Sequence, residues 1–88
     1  MKAWEWLESH GWCQHVMYRD AQGVDGYEPS GACAACLLGV ICLVYLEEEA
    51  RDAVGRIREE IQGNLHDWND TNGRTKEDVV ALLKRLDL

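Results

Sequence analysis

The sequence predicts a mainly α fold: a small single domain over residues 1–88 built of three to four helices, with room for a short β-hairpin near residues 12–28. Three observations lead there. Apolar residues recur at helical spacing in two otherwise charged segments, Ala50 to Ile61 and Val79 to Leu86. The run "ACAACLLGVICLVYL", Ala32 to Leu46, is apolar for fifteen residues. That is short of the about 18 to 20 residues that cross a bilayer, so it reads as a buried central helix. Finally, 88 residues hold one core and no more.

In chain order, Lys2 to Ser9 forms a short helix with Trp4 and Leu7 on one face and Glu5 and Glu8 on another. Gly11 is placed to end it, because glycine accepts the left-handed cap conformation. "WCQHVMYRD" has the β-branched and aromatic content of a strand, and "DAQGVDG" supplies turn chemistry at Asp20, Gly23, Asp25 and Gly26. These two stretches are the candidate hairpin. Pro29, Ser30 and Gly31 precede the apolar run, with Ser30 as its expected N-cap.

Glu47, Glu48 and Glu49 mark where that run surfaces. Beyond them Ala50, Ala53, Val54, Ile57 and Ile61 repeat at helical spacing. Glu47 with Arg51, and Asp52 with Arg56, stand at acid-before-base spacing for ion pairs on the wet side. The pattern leaves open whether this is one helix or two. Gly63 is a natural stop. The last helix starts at Thr75, whose hydroxyl can cap; Glu77 and Asp78 occupy its first turn, and Lys84 and Arg85 its last, as the helix dipole favours. Val79, Leu82, Leu83 and Leu86 form its inner face.

"HDWNDTNGRT", residues 66–75, separates the last two helical patterns and contains one large apolar side chain. Asn69, Asp70 and Asn72 are suited to bonding nearby backbone amides, and Gly73 to positive φ. Trp68 is expected to plug into the core, and Arg74 to pair with Asp67 or Asp70. As a calcium loop the stretch fails: Asp67, Asn69, Thr71 and Asp78 fall on ligand positions, but Asn72 stands where the sharp turn needs glycine, and Asp78 is shorter than the bidentate glutamate required.

Sixteen acidic against nine basic side chains give a net charge of −7. That balance argues against nucleic acid and anionic membranes as partners, and suits either solubility or a partner with a basic surface. The N-terminus "MKAWEWLESHGW" has neither the apolar core nor the cleavage site of a secretory signal, so the cytoplasm is the expected compartment. Cys13, Cys33, Cys36 and Cys42 are then expected as reduced thiols. Cys33 and Cys36 have zinc-ligand spacing, and Cys13 with His15 or His10 would complete a site. A single such pair at the head of an apolar helix is a weak signal, so no metal and no cofactor is expected. Catalysis lacks a nucleophile, base and orienting group in recognisable arrangement; His66 beside Asp67 and Cys13 beside His15 are chain neighbours only.

The segments "WCQHVMYRDAQG", "ACLLGVI" and "WNDTNGRTKEDVVALLKRL" together resemble a family of short, functionally uncharacterised proteins of bacteria and their phages. The likeness runs from Trp12 to Leu86. It departs at Val40, where the family pattern has alanine, and at Cys33, which the pattern lacks. The resemblance implies that Trp68, Asn69, Asp70, Arg74 and Thr75 act as a unit with Trp12, Cys13, Arg19 and Asp20. It also implies a phage or bacterial accessory role, such as an anti-CRISPR-like inhibitor of a host defence complex. The densest group of carboxylates free to make such a contact is Glu47, Glu48, Glu49 and Asp52, followed by Glu59 and Glu60. Two alternatives stand beside this reading: a metal-dependent or hydrolytic enzyme using the 66–75 loop, and a structural homo-oligomer, a homodimer in the simplest case.

Overall fold

The computed structural model describes residues 1–26 and 29–88. It is an α+β domain, which corrects the mainly α expectation of three to four helices: five helices pack around a four-stranded mixed sheet. The elements run α1 (Ala3–Ser9), β1 (Gly11–Trp12), β2 (Tyr18–Arg19), β3 (Asp25–Gly26), β4 (Ala34–Ala35), α2 (Leu37–Val44), α3 (Glu47–Ile61), α4 (Leu65–Asn69) and α5 (Lys76–Arg85). The sheet order is β1-β4-β2-β3, with β1 and β4 parallel and the other pairs antiparallel.

The expected hairpin is present as β2 and β3, where Tyr18 faces Gly26 and Arg19 faces Asp25. Residues Tyr27 and Glu28 of the range 12–28 lie outside the described residues. Asp20 shapes its turn, its carboxylate accepting from the amides of Gln22 and Val24, both at 2.9 Å. What the pattern hides is the strand on the other side. The apolar run is a strand followed by a helix: β4 sits in the centre of the sheet, and α2 begins only at Leu37, capped by Cys36 and not by Ser30. A continuous apolar stretch has the same look in both states when both are buried. Gly11 likewise belongs to β1 instead of closing α1, where a Cβ would meet that of Ala34 at 3.0 Å. Gly39 does the corresponding work in α2. A Cβ there would come within 2.6 Å of the Met17 carbonyl oxygen, so a residue that weakens a helix lets α2 lie against the chain entering β2.

The core joins Leu7 of α1, Leu37, Val40 and Ile41 of α2, Ala53 and Ile57 of α3, Leu65 of α4, and Val79, Leu82 and Leu83 of α5. Tyr45 and Leu46 break α2 from α3. The left-handed residue closing α3 is Gln62 (φ 56°), one position before the expected stop at Gly63. Thr75 caps α5 as read, in a reciprocal arrangement with Asp78. Among the described residues, no helix is long and apolar enough to cross a membrane.

Candidate functional site

The loop over residues 66–75 is organised by Asn69, not by Trp68. Asn69 ends α4 and is 1% exposed. Its Nδ2 donates to the Cys13 carbonyl at 3.1 Å and to Asp70 Oδ1 at 3.0 Å. Its Oδ1 accepts from Trp12 Nε1 at 2.7 Å and from the Leu37 amide at 2.9 Å. The full donor and acceptor capacity of one amide is spent at one point. Because Leu37 is the first residue of α2, the same side chain satisfies an amide that the helix itself leaves unpaired.

The neighbours extend this clasp. Gln14 Nε2 donates to the carbonyls of Asn69 (3.0 Å) and Thr71 (3.2 Å). The His15 amide donates to Asp70 Oδ1 at 2.9 Å from a left-handed backbone, φ 71°. Burial works to raise the Asp70 pKa, but donation from the His15 amide and the Asn69 side chain, with the positive fields of His15 and His66, outweighs it and holds the carboxyl below its ordinary 3.8. Trp68 is only half-buried, which corrects its expected place as a core plug. The Arg74 guanidinium lies over its ring, 3.8 Å from the centroid, while Arg74 Nε donates to the Trp68 carbonyl at 2.9 Å. Arg74 therefore stacks where an ion pair with Asp67 or Asp70 was expected.

Of the residues that the resemblance joins, Trp12, Cys13, Asn69 and Asp70 share one bonded network, and Trp68 and Arg74 stack beside it. Thr75 starts α5. Arg19 and Asp20 stand apart in the β2–β3 hairpin, Arg19 pairing with Asp25 at 2.9 Å. Sequence reasoning missed Gln14 and the long reach of Asn69. An asparagine in a turn reads as a local cap, and nothing in the sequence marks its partners 32 and 57 positions away.

The zinc candidates do not converge. Cys33 is exposed while Cys36 is buried, because the strand between them turns residues three apart to opposite faces. His15 is exposed. Burial, reinforced by the nearby Cys36 thiol, pushes the Cys13 pKa up to about 11. Burial also raises Cys36, whose Sγ accepts from the Gly39 amide at 3.3 Å as the cap of α2. Such thiols stay protonated near neutral pH, the opposite of what a nucleophile or metal ligand needs. Among the described residues, no three His, Cys, Asp or Glu side chains are placed to hold one metal ion.

A different surface lies on α3. Glu47, Glu48, Glu49, Asp52, Glu59 and Glu60 are all exposed. Helical geometry aligns Glu48, Asp52 and Glu59 in a stripe opposite the centre of the apolar face formed by Ala50, Ala53, Val54, Ile57 and Ile61. Glu47 flanks that stripe on one side, Glu49 and Glu60 on the other. Among the described residues, Glu60 is the one member in an ion pair, with Arg85 at 3.1 Å. The expected pairs of Glu47 with Arg51 and Asp52 with Arg56 are not made; Arg56 reaches instead to the Leu86 carbonyl. Residues 1–86 match DUF6197, a family of unknown function. The chain belongs to the DUF6197 family. No curated protein and no solved structure matches it.

Proposed function

We propose that this protein acts by binding another protein, through the acidic face of α3, to a partner with a basic surface. The observation that carries the reading is that five of the six carboxylates on α3 have no cation within ion-pair distance among the described residues. The clasp, by contrast, engages its polar groups internally. Asn69, Asp70 and Arg74 are all occupied by bonds inside the chain, which weighs against the rival in which the 66–75 loop does hydrolytic or metal-dependent chemistry. The motif resemblance adds a class of partner, a nucleic-acid-binding protein of a host defence complex, with the chain serving as a phage or bacterial accessory factor.

The structure improves the test of this idea. Glu47, Glu48 and Glu49 fill the first turn of α3, where carboxylates also stabilise the helix dipole, so reversing all three disturbs fold and contact together. Reversing Glu48, Asp52 and Glu59 to lysine disturbs that first turn at Glu48 alone and otherwise alters only the solvent stripe. A partner captured from host lysate should lose most of its association rate to that variant, and the loss should shrink as salt rises, because exposed charges are screened within about 10 Å at 0.1 M. Unchanged capture by the folded variant at physiological salt would end the acidic-face reading.

A further inference from the structure

Independently of the partner-binding reading, we infer that Asn72 and Gly73 form a self-modifying site: the loop converts Asn72 to aspartate and isoaspartate without an enzyme, and the conversion loosens the turn that holds Arg74 over Trp68. The Arg74 amide donates to the Thr71 carbonyl at 3.0 Å, so Asn72 and Gly73 are the two central residues of a tight turn. Of this pair only Gly73 has a positive φ, 89°, as the second central residue of a type II turn does. Both residues are exposed, and a Cβ added at Gly73 would meet nothing within 4 Å. The side-chain bonds of the loop belong to the residues on either side: Thr71 Oγ1 donates to the Asp67 carbonyl and Arg74 Nε to the Trp68 carbonyl. Asn72 does not bond a nearby backbone amide as its residue type suggests. Among the described residues, neither its carboxamide nor the Gly73 N–H has a partner.

A free carboxamide followed by a free glycine amide is open to attack by its own backbone. The Gly73 nitrogen gives its proton to solvent base and bonds to Asn72 Cγ; ammonia leaves, and a five-membered succinimide closes. Glycine permits the approach because it sets no side chain beside the nitrogen. Water then opens the ring. Breaking the bond from nitrogen to Cγ gives aspartate, and breaking the bond to the Asn72 backbone carbonyl carbon gives isoaspartate, whose chain runs through Cβ. Water enters, ammonia leaves and no electrons are exchanged. The other two asparagines are held out of this chemistry. Asn64 Oδ1 accepts from the Asp67 amide at 2.8 Å and its Nδ2 donates to Asp67 Oδ2 at 3.1 Å, with the branched Leu65 following. Asn69 is 1% exposed and spends its amide in the clasp. Either product adds a carboxylate close to the Arg74 guanidinium in a chain already at −7. Isoaspartate also adds a methylene to the backbone between Thr71 and Arg74, which spoils the spacing their turn bond requires.

Ageing the purified, folded chain in warm, mildly alkaline buffer tests this, with peptide mapping by mass spectrometry and an isoaspartyl methyltransferase as the probe for isoaspartate. Asn72 should convert about tenfold or more faster than Asn64 or Asn69, a barrier lower by about 1.4 kcal/mol, and faster still as pH rises. The Arg74 Nε–H resonance, set by the Trp68 ring and carbonyl, should move as the product accumulates. Asn72→Gln should abolish both changes and keep the melting temperature, because its longer carboxamide must close a six-membered ring. Asn72 left intact after an ageing time that converts a synthetic peptide of residues 66–75 would mean that the fold blocks the attack. Equal conversion at Asn64 or Asn69 would mean that the turn confers nothing. Either result overturns the site. An Arg74 Nε–H signal unmoved in fully converted protein overturns the loosening of the turn.

Discussion

The clasp around Asn69 and the shoulder around Leu46 are both places where helices meet loops, and they treat their side chains in opposite ways. At the clasp, polar groups far apart in sequence are drawn inside, and every buried side-chain nitrogen and oxygen among the described residues has a partner. At the shoulder, carboxylates and a leucine are left facing solvent next to an apolar groove. The lesson is that an unusual sequence is a poor guide to which side chains face solvent. The motif-like loop is bonded within the chain, whereas the plainer helix start leaves its carboxylates and a leucine to solvent.

The largest effect should come from Asn69→Ala. It strands the Leu37 amide, the Trp12 indole N–H and the Cys13 carbonyl, and an unsatisfied buried group costs about 1–3 kcal/mol. A loss of about 3 kcal/mol or more in chemical denaturation is expected, a large share of the roughly 5–15 kcal/mol that holds a small domain. A loss below about 1 kcal/mol would erase the contrast between the two regions. Trp68→Ala comes next. A fully buried tryptophan would cost about 3 kcal/mol or more, but half-burial and one cation–π stack put the expected cost at about 1.5–2 kcal/mol. A urea series giving the larger figure would restore Trp68 to the core.

Asp70 gives the clasp a pH signature. Its folded pKa lies below the ordinary 3.8, so the folded state favours the carboxylate. The stability it adds is present above that ordinary value and is lost as pH falls through the lower folded value. Thermal unfolding below pH 4 should therefore decline less steeply in Asp70→Asn than in the parent chain; parallel slopes would remove Asp70 from the clasp. The smallest effect belongs to the shoulder. Reversing Asp52 and Glu59 to lysine should shift stability by less than about 0.5 kcal/mol per site, as for ordinary surface positions, and Glu48 should add up to about 1 kcal/mol because it stands in the first turn of α3. A marked loss in the same denaturation assay would show that the stripe serves the fold after all.

Much of the helical skeleton was legible. Charge-flanked periodicity located α3 and α5, and the Thr75 cap and the acidic first turn of α5 were readable from residue chemistry alone. The sheet was not legible, because each strand is two residues long and carries no alternation to detect. Strand β4 was hidden further by Leu37 to Val44 following it directly with equal hydrophobicity. At the candidate sites, residue types named Asn69 and the α3 acids, but burial and partner choice are tertiary facts. The exposed Leu46 shows the limit most plainly: by sequence it is one more residue of an apolar run.

The Ala3 amide donates to the Leu88 carbonyl, α1 packs against α5, and β1 pairs with β4. For a chain made from its N-terminus onward, that connectivity is a matter of timing. At synthesis rates of about 5–20 residues per second, the apolar face of α1 waits roughly 4 to 15 s for α5 to follow it out of the ribosome. During that interval Leu7 and the half-buried Trp4 and Trp6 have no native neighbour from α5. The apolar face of α1 is thus open to chaperones and to misassociation until α5 arrives.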